Sequence, residues 1–158
     1  EPHYILILSI PTIDEDLNIY DCLDHYTEKE IIDNNNLWKC SNCKNESNNY
    51  RTIKLINTPK TLMIQFKRHI SGSKNSKKID YPNILNIKNY KIINEEHNNK
   101  YELFSVISHI GDCFNSGHYY SICKDNDDFY LFNDSHVNKL NKMDCDENAY
   151  MLCYRSID

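Results

Sequence analysis

Three apolar-rich runs, residues 101–110, 119–123 and 129–132, dominate the C-terminal part of the chain. Tyr, Phe, Val and Ile fill the runs; Gly, Asn, Asp and Ser fill the gaps between them. Short β-branched and aromatic segments bounded by turn formers predict an antiparallel meander. His118 immediately precedes the second run, and the third runs straight into Asn133 and Asp134. Neighbouring strands lie ~4.8 Å apart, so a side-chain oxygen of Asn133 or Asp134 reaches the ring of His118. A histidine oriented by such an oxygen is the base half of a nucleophile–base–orienter triad. His–Asp neighbours on adjacent strands also occur without catalysis. Two features favour the catalytic reading: Gly117 permits close backbone approach beside His118, and the polar stretch 111–117 is long for a simple hairpin.

Elsewhere the pattern is shorter-ranged. Residues 4–10 predict a strand closed by Pro11. Leu17, Tyr20 and Leu23 recur at helical spacing behind acidic residues, predicting a helix that begins at Asp14. Thr27 and Glu30 fit a capping box for a short second helix. Residues 50–56 and 61–67 predict strands separated by the turn 57–60, and 79–81 and 84–87 predict two short strands. The polar, basic segment 71–78 predicts a mobile loop, and 93–100 a surface loop.

Composition narrows the function classes. A length of 158 residues suits one domain or a large part of one. A net charge of −5 and a pI near 5.8 argue against nucleic-acid binding. Hydrophobic residues make up 40%, yet mean hydropathy is −0.69, lowered by asparagine runs such as Asn34-Asn35-Asn36 that read as loop filler. The first ten residues lack the basic start of a secretory signal, and the apolar runs are too short for a membrane span, so no membrane partner is expected. Seven cysteines at irregular spacing do not suit a disulfide framework. Cys22, Cys123 and Cys153 sit in apolar patterns and read as buried thiols, consistent with a reducing cytoplasm or nucleus. Cys40 and Cys43 form a C-x-x-C pair, which leaves three readings open: half of a zinc site, a metal-free reduced pair, or a redox pair.

Several blocks carry a resemblance. Gly117 to Ser121 reads G-H-Y-Y-S, Phe132 to Ser135 reads F-N-D-S, and Asn148 to Tyr154 reads N-A-Y-M-L-C-Y. Upstream lie D-C-L-D-H-Y-T from Asp21, W-K-C-S-N-C from Trp38, and T-P-K-T-L-M-I-Q-F-K-R from Thr58. In this order, over nearly the whole chain, they resemble the ubiquitin-specific proteases, papain-like cysteine hydrolases that remove ubiquitin. The resemblance implies an α+β fold of mainly antiparallel palm and fingers, with residues 1–57 in the fingers portion and 58–158 in the palm. The helical subdomain that bears the nucleophile would be absent. It implies His118 as general base, Asn133 at the third-triad position, and Asp134 as a further orienter. Gly117, Tyr119, Asp112 and Ser116 would flank the channel for the ubiquitin tail, and His109 would be structural. His69 stands where the family commonly has an aromatic residue, and no orienting carboxylate is expected beside it.

The family's nucleophilic cysteine sits at a helix N-terminus that would lie upstream of this chain. Cys113 is nearest to His118 in sequence but lacks that helical setting. Catalysis would need no cofactor, and the partners of the family's zinc ribbon cysteines would also lie upstream, leaving structural zinc open. Expected partners are ubiquitin or a ubiquitinated protein, and the N-terminal half of the catalytic domain. The alternative is an inactive ubiquitin-binding scaffold of the same fold. Retention of both Gly117-His118-Tyr119 and Phe132-Asn133-Asp134 favours the enzyme.

Overall fold

A computed structural model describes residues 5–13, 16–32, 38–47, 49–70, 72–92, 99–113 and 116–157. Strict alternation builds its centre. In β1 (Leu6–Ser9) the pattern is buried–exposed–buried–exposed, and along Thr61–Lys67 Leu62, Ile64 and Phe66 turn inward while Thr61 and Lys67 face solvent. Side chains alternate faces along a strand, so each segment can bury one row only.

The helix α1 (Ile19–Thr27) follows β1. The remaining strands of the main sheet are β2 (Thr61–Lys67), β3 (Ile84–Asn86), β4 (Lys100–Cys113), β5 (Ser116–Asp125), β6 (Asp128–Asn133), β7 (His136–Leu140) and β8 (Ala149–Ser156). These eight strands run in the order β1-β2-β8-β4-β5-β6-β7, with β3 paired to β4. The pairings are antiparallel except β1 with β2, which are parallel and joined by a long crossover that contains α1. Leu6, Ile64, Leu152, Val106, Ile122 and Leu131 stand opposite one another in successive strands. Directly opposed residues share a face, so this ladder defines one apolar side of the sheet. The core cluster joins Leu6, Ile64, Leu152 and Val106 with Ile19, Cys22 and Leu23 of α1. Residues on both sides of position 57 thus share one core.

The structure corrects several expectations. The helix starts at Ile19, not Asp14, and residue 14 lies outside the described residues. Asn18 caps it: its Oδ1 accepts from the N–H of Tyr20 at 2.8 Å and of Asp21 at 3.3 Å, while Asp21 Oδ2 accepts from the Asn18 N–H at 2.8 Å. This reciprocal capping box satisfies donors that the first helical turn leaves free. Leu17, expected on the helix, instead pairs with Ile79 in a short parallel bridge.

Thr27 and Glu30 do not start a second helix. Thr27 ends α1, with its hydroxyl donating to the Leu23 carbonyl at 3.0 Å. Glu30–Ile32 is extended and pairs with Asn49–Arg51. The β-branched Ile31 and Ile32 suit a strand, and Arg51 meets Glu30 at 2.6 Å across the pair. The predicted strand 50–56 is consequently cut to Asn49–Arg51, and Leu55 makes an isolated bridge to Lys91.

Segment 72–78 is tied down. His69–Ile70 pairs with Ser73–Lys74 around Gly72, whose φ of 87° favours glycine. The fully buried Arg68 donates to the carbonyls of Asn75 and Lys77 at 2.9 and 2.8 Å, and to that of Ala149 at 2.7 Å. Residues 71 and 93–98 of the two expected loops lie outside the described residues. Among the described residues no helix is long and apolar enough to cross a membrane.

Candidate active site

The polar stretch before His118 is largely strand. β4 runs on through Cys113, β5 resumes at Ser116, and these two residues oppose each other beyond a register shift after Ile110. Residues 114–115 lie outside the described residues. Backbone pairing, not side-chain hydrophobicity, extends the hairpin, which is why the polar composition read as a loop.

His118 stands opposite Ile110 on β5, and Asn133 ends β6. Ser121 opposes Phe132 and Ile122 opposes Leu131, so alternation puts His118, Tyr120 and Ile122 on the face shared by Leu131 and Asn133. The pair therefore lies on the core face of the sheet, beyond the end of the apolar ladder. His118 Nε2 is 2.5 Å from Asn133 Oδ1. An amide oxygen only accepts, so Nε2 carries the proton and donates it. Nδ1 is left with its lone pair, ready to take a proton from a nucleophile.

Asp134 adopts a left-handed φ of 51° at the start of the two-residue turn between β6 and β7, where Asn133 opposes His136. The hydrogen bond to His118 comes from Asn133, one residue before that turn.

His109 lies beneath the hairpin, 2% exposed. Its ring centroid is 4.5 Å from that of Tyr119 and 5.6 Å from that of His69, with Tyr150 also beside it. Lys74 Nζ donates to the His109 carbonyl at 2.5 Å. Burial holds the His109 ring below its ordinary protonation range, helped by the Lys74 charge and by His69. A Cβ on Gly117 would lie 2.2 Å from His109 Nε2, so the missing side chain is what admits this ring. The other sequence candidates border the same hairpin: Tyr119 is about half exposed, and Asp112 and Ser116 are exposed near its end.

Six cysteines are free thiols among the described residues. Burial, then the Asp21 charge, pushes the Cys22 thiol up to about 12, and burial also raises that of Cys153. Cys123 contacts Ser105 at 3.2 Å, and Cys145 donates to the Tyr81 carbonyl at 3.3 Å. Among the described residues none of these thiols hydrogen-bonds His118. Only the backbone of Cys113 is described.

Cys40 and Cys43 sit in a turn closed by hydrogen bonds between Cys40 and both Lys44 and Asn45. Backbone N–H groups of Cys43 and Asn42 lower the Cys40 thiol, favouring the thiolate that a metal binds. A structural zinc needs four ligands. Two are supplied here, and no cluster of three or more His, Cys, Asp or Glu side chains able to hold a metal forms among the described residues.

Sequence reasoning missed Asp146. Its Oδ2 accepts from Ser108 Oγ at 2.7 Å and from the Tyr120 hydroxyl, and its Oδ1 accepts from the Asn148 N–H at 2.8 Å. The Asp-x-Asn spacing is an Asx-turn signal readable in the sequence; the partners on β4 and β5 are not.

Comparison with known proteins identifies the family and the fold. A family model described as ubiquitin carboxyl-terminal hydrolase matches residues 29–154. A protein of Acanthamoeba polyphaga mimivirus, described as a probable ubiquitin carboxyl-terminal hydrolase, is 34% identical over 161 residues, covering 96% of this chain and 34% of that protein. One of Schizosaccharomyces pombe, described as probable ubiquitin carboxyl-terminal hydrolase 16, is 31% identical over 159 residues with the same two coverages. The chain thus spans about a third of the length of these relatives. Among solved structures, the SAGA DUB module of Ubp8, Sgf11, Sus1 and Sgf73 bound to monoubiquitin matches with a TM-score of 0.83 and 30% identity, over 100% of this chain and 36% of that one. The same module bound to ubiquitin aldehyde gives 0.81 and 29%, over 98% and 36%. The mixed sheet corresponds to the palm and fingers portion of that papain-like fold.

Proposed function

The chain belongs to the ubiquitin carboxyl-terminal hydrolase family, and from that premise we propose that it supplies the base and orienter of a thiol-dependent deubiquitinase. The observation that carries this reading is the 2.5 Å contact between His118 Nε2 and Asn133 Oδ1. It leaves Nδ1 as the proton acceptor for a cysteine contributed by a segment N-terminal to this chain. His118 takes the thiol proton, and the thiolate attacks the carbonyl carbon of ubiquitin's C-terminal glycine. Collapse of the tetrahedral adduct expels the amine, which receives the proton back from His118. Water, deprotonated by the same ring, then cleaves the acyl-enzyme and regenerates the thiol.

Asn133 holds the ring in its reactive tautomer throughout. Its neutral amide orients imidazolium but stabilises it less than a carboxylate would. Asp134 is a second orienter of the ring or a water-positioning group. Gly117, Tyr119, Asp112 and Ser116 line the path of the ubiquitin tail. On this reading the chain by itself binds ubiquitin but does not cleave it, and the family chemistry needs no cofactor.

The test is release of the amine from a ubiquitin C-terminal amide by a polypeptide that joins this chain to its upstream segment. Turnover that is blocked by thiol alkylation supports the reading. Ubiquitin binding without turnover contradicts it.

A further inference from the structure

Asp146 lies between β7 and β8, and one carboxylate there gathers three parts of the sheet. Ser108, on β4, stands opposite both Tyr120 on β5 and Ala149 on β8, and its hydroxyl and that of Tyr120 both donate to Asp146 Oδ2. The other oxygen holds the Asn148 N–H, and the Asp146 N–H donates to the Tyr81 hydroxyl at 2.9 Å. Ser108 is fully buried. Burial, then Asp146 itself, raises the Tyr120 hydroxyl to about 12, so it remains a donor throughout the neutral range.

Tyr120 is the one member of this group on the catalytic stretch of strand. It follows His118 by two residues on the same face. One step beyond the Ser121–Phe132 pair, the β5–β6 register sets Asn133 alongside it. Tyr120 and Asp146 line one shallow cleft together with Ile122, Leu131, Leu140 and Lys142. A charge-assisted hydrogen bond to a carboxylate is stronger than a neutral one, so the bond to Asp146 holds the Tyr120 hydroxyl at that end of the cleft.

We propose that Asp146 is a positioning residue for the His118–Asn133 pair, acting through the Tyr120 hydroxyl that it holds. Fixing that ring fixes the space beside Asn133, and so keeps the amide oxygen turned to His118 Nε2. This inference rests on His118 being the base.

Ser108 provides the control, because it donates to the same oxygen without lying beside the pair. In the full protease, Tyr120→Phe is expected to lower kcat about tenfold with KM changed by less than about twofold. Ser108→Ala is expected to leave both within about twofold. In the 15N spectrum of the imidazole, Tyr120→Phe is expected to convert a single Nε2–H form of His118 into a mixture of tautomers. Unchanged kcat and unchanged ring signals in Tyr120→Phe would overturn the proposal. So would equal losses of kcat and of Tm in the two variants, the result of a brace that only supports the fold. Should Tyr120→Phe not fold, Asp146→Asn, which keeps an acceptor for Asn148, is read by the same criteria. Should the protease itself not turn over, the proposed function fails, and the ring signals still decide this inference.

Discussion

Gly117 and His109 meet so closely across the hairpin that a Cβ on the glycine would sit 2.2 Å from His109 Nε2 and 2.5 Å from the Ile110 carbonyl oxygen. One of these neighbours is a buried ring and the other is backbone, so neither yields without moving β4. Because His118 is the next residue, the displacement passes directly to the proposed base. Gly117→Ala is expected to cost roughly 1–3 kcal/mol of stability and to reduce turnover by more than about tenfold. Urea denaturation and ubiquitin-amide hydrolysis check this. A variant with the parent's midpoint and rate would show that the hairpin accepts the methyl group.

Arg68 is fully buried and bonded to three carbonyls, and among the described residues it makes no ion pair to a carboxylate. Burial lowers its readiness to hold a proton, offset in part by the fields of Cys22 and Asp146. Its value lies in geometry: a planar fork reaches carbonyls on β8 and on segment 72–78 together. Arg68→Lys keeps the charge but loses the fork, and is expected to destabilise the fold by roughly 2–4 kcal/mol. Thermal or urea unfolding measures it. A loss below about 0.5 kcal/mol would mean that the carbonyls find other donors.

His109 predicts a pH dependence of stability. Its ordinary value is 6.5 and its folded value is lower. Between the two, the unfolded chain binds a proton that the folded chain refuses. Its contribution to stability is therefore complete above the ordinary value and declines as pH falls toward the folded one. The urea midpoint is expected to drop between about pH 7.5 and about pH 5.5, and to drop less in His109→Gln. Identical pH slopes for the two proteins would contradict a neutral buried ring.

Asn133 is expected to act through its oxygen alone. Asn133→Asp retains an acceptor for Nε2–H, and its activity should stay within about tenfold of the parent. Asn133→Ala removes the acceptor and should lower kcat by about ten- to a hundredfold with little change in KM. An alanine variant as active as the parent would show that another group, Asp134 foremost, orients the ring.

Much of this was written locally in the chain. Alternation at Leu62, Ile64 and Phe66 gave the central strand, and the turn formers between the last runs gave the meander that brings His118 to Asn133. Failures came where two local patterns compete. Acidic residues before Leu17 look like a first helical turn, yet Asn18 and Asp21 form the actual box. Thr27 and Glu30 look like another box, yet Thr27 closes α1 because two isoleucines downstream pair better as a strand. Arg68 and Asp146 were invisible for a different reason. The partners that tie them to the main sheet, Ala149 and Ser108, lie 81 and 38 positions away, and only the folded sheet brings them together.

The most direct test of the account is the rate of ubiquitin C-terminal amide hydrolysis by the full protease, compared with its His118→Ala variant. The account predicts a loss of kcat of about a hundredfold or more, with ubiquitin binding retained. Turnover by the variant equal to that of the parent would contradict His118 as the base.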